Sequence, residues 1–195
     1  ARDSGWRGGR LIPGAPPAHD GAARETGRAA NLIITYLEQR EHPRLQTRAP
    51  HRGGMLLRLD EPVVPFYRYL YARLAEAGPG LPGERDGELE ERLADPDCDV
   101  FVLFMGGAPA GFFELDRRRE GEVHLTRLAL LPEFRGRHLG KWFVGLAVEA
   151  AWDFRPQRVW TSVGETDDPR AILLYQWAGF VPYEATRRAE PGAKP

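Results

Sequence analysis

The sequence predicts an α/β domain built on a mixed, mostly antiparallel sheet with helices on both faces. Three observations carry this. Two hairpins follow one another between residues 100 and 131, joined by the turns GGAPAG and RRREG, which makes an antiparallel meander. The remainder alternates strand, helix, strand, helix and strand, the order of a crossover half-sheet. The first helix of that half, GKWFVGLAVEAAWDF, is apolar almost all round and must be packed on more than one side.

In chain order, residues 1–30 are rich in Gly, Ala, Pro and Arg without apolar periodicity. Such a stretch cannot bury enough surface to offset its ordering entropy, so a disordered extension or an early start site is expected. It has no apolar stretch of the secretory kind, and its three acids against one serine argue against a transit peptide. NLIITYLEQ and Met55–Leu59 (MLLRL) read as short strands. VPFYRYLYARLAEAG places Phe66, Leu70 and Leu74 at helical spacing and stops at Gly78. A loop, GPGLPGERDG, leads to the short helix ELEERLAD, whose acids lie near the positive N-terminal end. VFVLFM (Val100–Met105) is apolar on both faces and reads as an interior strand. FFELD and VHLTRLALL complete the meander, with Asp116, Arg117–Arg119 and Glu122 expected at a solvated hairpin tip. RVWTSV (Arg158–Val163) is a strand. In the helix DDPRAILLYQWAGF, Asp168 is the expected N-cap, Pro169 stands in the first turn and Gly179 stops it. VPYEATRR closes a single domain spanning residues 31–188, ahead of a tail at 189–195.

Composition narrows the function classes. With 195 residues, 42% hydrophobic and 28% charged, the chain fits one ordinary globular domain. A net charge of -1 gives no field favouring nucleic acid or an anionic membrane, and no apolar run approaches the ~20 residues of a membrane helix. Neither partner is expected. The single cysteine, Cys98, excludes an internal disulfide and suits a reducing, cytoplasmic setting; it sits at the edge of an apolar run and reads as structural. No His/Cys/Asp cluster has ligand spacing, so no metal is implied. A monomer and a homodimer are equally compatible with the sequence.

The chemistry concentrates in PEFRGRHLGKW. A strand runs into RGRHLG and out into a helix, a unit whose backbone N–H groups and helix dipole favour an anion such as a pyrophosphate. It is no Walker loop, because no Lys-Ser/Thr pair follows at the right spacing. The dinucleotide fingerprint does not fit either, and no acid closes the next strand.

With these residues in place, the sequence resembles the GNAT superfamily of N-acetyltransferases, which use acetyl-coenzyme A. The family loop reads Arg/Gln-x-x-Gly-x-Gly/Ala; Arg135 matches its first position and Gly140 its last, while His138 replaces the middle glycine. The second signature, Leu-Tyr-x-x-x-Gly-Phe, is intact as Leu174, Tyr175, Gly179 and Phe180, with Asp168 where the helix often starts with Asn. The resemblance covers roughly residues 55–185 and implies a splayed sheet and acetyl transfer to a primary amine by direct attack in a ternary complex. It also implies that the backbone of Leu128, Ala129 and Leu130 pairs with the pantetheine arm. The loop Arg135, Gly136, Arg137, His138, Leu139 and Gly140, with Lys141 and Asp168 beside it, would hold the cofactor's phosphates. Tyr175 would protonate the leaving thiolate; its alternative is a core aromatic. Tyr67 and Tyr71 fall in the variable acceptor-binding region, as pocket lining or core. The acceptor itself, small amine or protein amine, is not readable.

For the base, His124 lies on the strand before the loop, eleven residues ahead of Arg135. Strand alternation puts His124, Thr126 and Leu128 on one face. If RRREG centres on Arg119, Glu114 lies opposite His124 and would orient the imidazole and raise its pKa. Alternatives are a half-exposed strand histidine beside a solvated glutamate, with Glu122 or water as base. His138 also leaves room for a degenerate domain that senses coenzyme A without catalysis, or for an interaction module. A tolerated substitution is the expected outcome, because histidine is among the few non-glycine residues enriched at positive φ.

Overall fold

The central hairpin is where sequence pattern and observed structure agree most closely. In the computed structural model, which describes residues 31–46, 53–61, 63–75, 86–165 and 167–189, β3 (Cys98–Met105) turns through Gly106 and Gly107 into β4 (Ala108–Asp116). β5 (Glu122–Leu130) then pairs antiparallel with β4 to complete the meander. The other described elements are β1 (Asn31–Gln39), β2 (Gly54–Arg58), α1 (Val64–Ala75), α2 (Asp86–Ala94), a 3-10 turn at Pro132–Phe134, α3 (Gly140–Trp152), β6 (Arg158–Gly164), α4 (Ala171–Trp177) and β7 (Val181–Ala189). The expected extension at 1–30, the Gly78 stop and the loop before α2 lie outside the described residues or overlap their edge.

The described strands form one sheet in the order β2-β3-β4-β5-β6-β1-β7, antiparallel except at β5–β6. β1 is inserted between β6 and β7 and pairs antiparallel with both, so the first strand of the domain ties the crossover half together. Its buried Gln39 donates to the Ala178 carbonyl at 2.7 Å and accepts from the Trp152 indole at 2.8 Å, which anchors it to α4 and α3.

Alternation sorts the apolar residues into two layers. Phe113, Leu115, Val123 and Leu125 face α3 and α4, where Phe143, Val144, Ala147, Val148 and Ala151 are fully buried. Val100, Val102 and Phe112 face α1 and α2, against Tyr67, Leu70, Leu89 and Leu93. Phe112 and Phe113, adjacent in sequence, thus fill opposite cores, each contributing roughly 1.5–3 kcal/mol of burial. Helices cover both faces, as the sequence predicts.

Two expectations about caps and tips change. Asp168 does not cap α4 itself, since Arg170 occupies that position in helical conformation. Its carboxylate instead accepts from the Arg170 amide at 2.9 Å and closes the turn ahead of the helix. At the hairpin tip, Arg117 is not solvated: it reaches Asp99 at 2.7 Å and stacks over Phe154.

Candidate active site

The site begins where two parallel strands part. The β5–β6 ladder consists of Glu122–Arg158, Val123–Val159 and His124–Trp160 and ends there, although both strands run on. The next link is made by a side chain: the buried Thr161 hydroxyl donates to the Leu125 carbonyl at 2.9 Å. Tyr175, reaching in from α4, lies beside Thr161. Burial pushes its phenol up to about 12, so the hydroxyl is protonated at neutral pH. Tyr175 thus stands at the head of the gap as a core residue packed on Phe180. The core reading of this tyrosine holds.

Beyond Leu125, the edge of β5 along Leu128, Ala129 and Leu130 faces the gap. The Leu131 N–H points at the Ala110 carbonyl of β4, so the Leu130 C=O on the same trans peptide points away from β4. It accepts from Arg135 Nε at 3.1 Å. Arg135 is thus tied to the strand edge as well as to the loop.

The loop has the geometry of an anion cradle. Gly136 (φ 72) and His138 (φ 59) are both left-handed, and only the former is a glycine. His138 takes the turn that the missing glycine would have taken. α3 follows with Leu139 at its N-cap, no side-chain cap and no acid in the first turn, so its first N–H groups have no intrahelical partner. Lys141 lies over the Trp177 ring at 4.9 Å, and Arg137 over Phe134 at 5.1 Å. Asp168 is held by Arg170 at 2.7 Å, which lowers its carboxyl to about 2. An uncapped helix start, alternating left-handed turns and nearby guanidiniums fit a pyrophosphate.

The opposite side of the sheet corrects the expected pairing of Glu114 with His124. The hairpin turn centres on Glu120, one residue past Arg119, so Asp116 pairs with His124; a bulge between Glu114 and Leu115 then pairs Glu114 with Arg127. Glu114 does not face His124. The same bulge breaks the alternation beyond Thr126: Leu128 packs in the α3 and α4 layer, across the sheet from His124.

His124 stacks on Trp160 with ring centroids 3.5 Å apart, and its buried Nε2 has no hydrogen-bond partner among the described residues. Burial drives its pKa down to about 4 and outweighs the neighbouring Asp116 carboxylate, whose effect is upward. The expected rise is reversed, and the imidazole is neutral at pH 7.

Glu114, nearly fully buried, is the hub of a second cluster. Oε2 accepts from Arg92 at 2.6 Å and Arg127 at 3.0 Å. Oε1 accepts from the Tyr67 and Tyr71 hydroxyls. Tyr67 is 1% exposed, so it supports this cluster from the core and does not line a pocket. Burial raises both phenols beyond their ordinary range. A cleft of about 260 Å³ opens beside the cluster, lined in part by Arg92, Glu114, Asp116, Arg118, His124 and Arg127. Cys98 also lines it, with its thiol pushed up to about 11 by burial, hence unreactive at neutral pH. Arg92, Arg127, Trp160 and Thr161 are absent from the sequence reading. Only their register in the folded sheet or their helix face brings them to the site.

Against known proteins, the sequence matches the model of the acetyltransferase (GNAT) family over residues 64–180, more than half of the chain. The chain belongs to the GNAT family. Spermidine N-acetyltransferase from Vibrio cholerae, solved with CoA and spermine, aligns at TM-score 0.54 and 20% identity, covering 67% of this chain and 82% of that one. An aminoglycoside acetyltransferase from an uncultured soil metagenomic sample aligns at 0.51 and 15%, covering 64% and 86%. A GCN5-related N-acetyltransferase from Sphaerobacter thermophilus aligns at 0.56 and 17%, covering 82% of this chain but 51% of its own. This chain thus spans about half of that larger GNAT protein. At such identities the likeness shows the GNAT fold. No curated protein matches the sequence.

Proposed function

We propose that this GNAT domain transfers an acetyl group from acetyl-coenzyme A to a primary amine by direct attack in a ternary complex. The observation that carries the reading is the buried, protonated Tyr175 beside Thr161 at the point where β5 and β6 part, with the uncapped start of α3 nearby in the same half of the domain. Backbone amides of Gly136 to Lys141 would hold the pyrophosphate, and the β5 edge at Leu128 and Ala129 would pair with the pantetheine arm. Bound acetyl-coenzyme A supplies the thioester carbonyl. Tyr175, protonated and buried, gives its proton to the departing thiolate sulfur. On the other face, neutral His124 accepts a hydrogen bond from the amine and orients it. A pKa near 4 makes it a weak base, so water carries away most of the released proton. Glu114 acts through its partners as a positioning residue, because hydroxyls and guanidiniums already occupy both its oxygens.

The test is paired. Acetyl-coenzyme A should raise the melting temperature, since ligand at 100 times its Kd adds ~2.7 kcal/mol. Tyr175→Phe should lower kcat at least thirtyfold while leaving that binding within about threefold, as a donor acting only in the transition state requires. A kcat within threefold of wild type, with chemistry rate-limiting, removes the acid role. Binding without turnover of any amine makes the domain a coenzyme A sensor.

A further inference from the structure

The half of the sheet formed by β6, β1 and β7 is packed on one face only. Leu37, Val159 and Val163 join the α3 and α4 layer, whereas Tyr36, Trp160 and Tyr183 belong to neither apolar layer. Alternation puts Arg158, Trp160 and Ser162 on the face away from α3 and α4. The register sets Glu38 beside Trp160, and Tyr36 between Ser162 and Glu184. A solvated face of an antiparallel sheet ordinarily reads polar. Here it carries an aromatic row: His124 stacks on Trp160 at 3.5 Å, Trp160 lies 6.3 Å from Tyr36, and Tyr36 lies 6.1 Å from Tyr183. Arg119 sits over the Trp160 ring at 5.7 Å and Arg158 over the Tyr183 ring at 4.6 Å. At the outer end of the row, Val181 and Tyr183 are 63% and 43% exposed. Tryptophan, tyrosine and arginine braced against one another are the composition of a protein-interface hot spot.

Three kinds of partner do not fit this face. A small aromatic ligand would find the Trp160 and Tyr183 rings already engaged by His124 and two guanidiniums. A partner chosen by charge would find little field at the centre, because Arg158 is paired with Glu38 at 2.6 Å and with Glu122 at 3.4 Å. An added strand is opposed at the β7 edge, where Pro182 has no N–H and the bulge leaves Tyr183 unpaired on β1. The charges left over flank the row on opposite sides. Arg119, 73% exposed beside Trp160, approaches Glu122 only at 4.0 Å. Glu184, exposed on β7, has no ion-pair partner among the described residues. A neutral aromatic row with a cation on one flank and an anion on the other is complementary to itself turned through a half-rotation.

We propose that a second copy of this chain docks on this face about a two-fold axis along β1, with Arg119 of each protomer against Glu184 of its partner. Tyr36 lies near the axis, and Trp160 of one protomer covers the exposed Val181 and Tyr183 of the other. The pairing stands independently of the acetyl-transfer reading.

Sedimentation velocity of the full chain, from submicromolar to tens of micromolar, should show a concentration-dependent shift to twice the mass of one chain. Tyr183→Glu and Val181→Glu, both at exposed positions, should each raise the dissociation constant at least tenfold without changing the far-ultraviolet circular dichroism. Met55→Glu, also exposed but on β2 at the other end of the sheet, should leave it within threefold. Arg119→Glu and Glu184→Arg should each weaken the dimer severalfold, and the double variant should recover it, since both exchanged pairs then regain opposite charges. A chain that stays monomeric at tens of micromolar would overturn the proposal, as would a dimer indifferent to both β7 variants. A double variant no tighter than the single ones would overturn the two-fold arrangement.

Discussion

Replacing Glu114 by glutamine removes one charge and almost no volume, so it isolates what the buried hub contributes. All four partners of this carboxylate present donors: two guanidiniums on Oε2 and two phenols on Oε1. Glutamine keeps one acceptor oxygen for the arginines, and its NH2 can donate to a tyrosine hydroxyl that rotates to accept. The tyrosine side is therefore largely preserved, and the loss falls on two charge-assisted hydrogen bonds. Each is worth about 1.5–3 kcal/mol, and the low end applies because the arginines retain some solvent contact. The expected cost is about 3 kcal/mol, or a melting temperature lower by roughly 6–12 °C for a domain of this size. Urea unfolding at pH 7 reads it directly, with an unchanged m-value certifying that both states keep their exposed surface. Glu120→Gln, at the exposed hairpin tip, serves as the control and should stay within about 0.5 kcal/mol of wild type. A Glu114→Gln loss below about 1 kcal/mol at constant m would refute the reasoning. A stable variant with abolished turnover would return Glu114 to the role of base.

The depressed pKa of His124 gives a pH-dependent stability whose sign is fixed. Its folded value of about 4 lies below the ordinary 6.5, so the unfolded chain binds the extra proton; the contribution is complete above pH 6.5 and is lost as pH falls toward 4. Between pH 7 and 5 wild type should lose about 1–2 kcal/mol that His124→Gln does not lose, measured by urea unfolding at both pH values; parallel losses would show that the histidine is solvated. His138→Gly should leave stability within about 1 kcal/mol, because relief of the left-handed backbone is offset by a more flexible unfolded chain. Its affinity for acetyl-coenzyme A, by calorimetry, should be equal or tighter by less than tenfold, and a weakening beyond tenfold would make the imidazole itself a phosphate ligand.

The parts of this molecule that were legible in the sequence are those set by local chemistry. The meander follows from turn residues and apolar runs, α3 from its all-round apolar pattern, and the cradle from a strand, two glycines and a helix start. His138 fits for the same local reason, since its backbone alone had to turn left-handed and histidine can do so. The position of β1 between β6 and β7 depends on partners more than a hundred residues away, and no local pattern specifies it.

The expected Glu114–His124 pair failed at the turn, which centres on Glu120, one residue past Arg119, and so sets Asp116 opposite His124. Period-two alternation was applied across Thr126, where the β4–β5 register shifts, and that shift re-aims every side chain beyond it. Leu128 moves to the far layer, and Arg127 turns onto Glu114. The hub exists because of the bulge: without it, Arg127 would point toward α3 and α4, into an apolar layer where a guanidinium has no carboxylate to meet. His124, upstream of the shift, keeps its expected face but gains Trp160 from a strand that sequence alone does not bring beside it. Stacking on that ring helps to bury the imidazole, and burial is the largest influence on its pKa. The turn centre and the bulge together replace the expected Glu–His pair with an arginine-held glutamate diagonal to a neutral histidine.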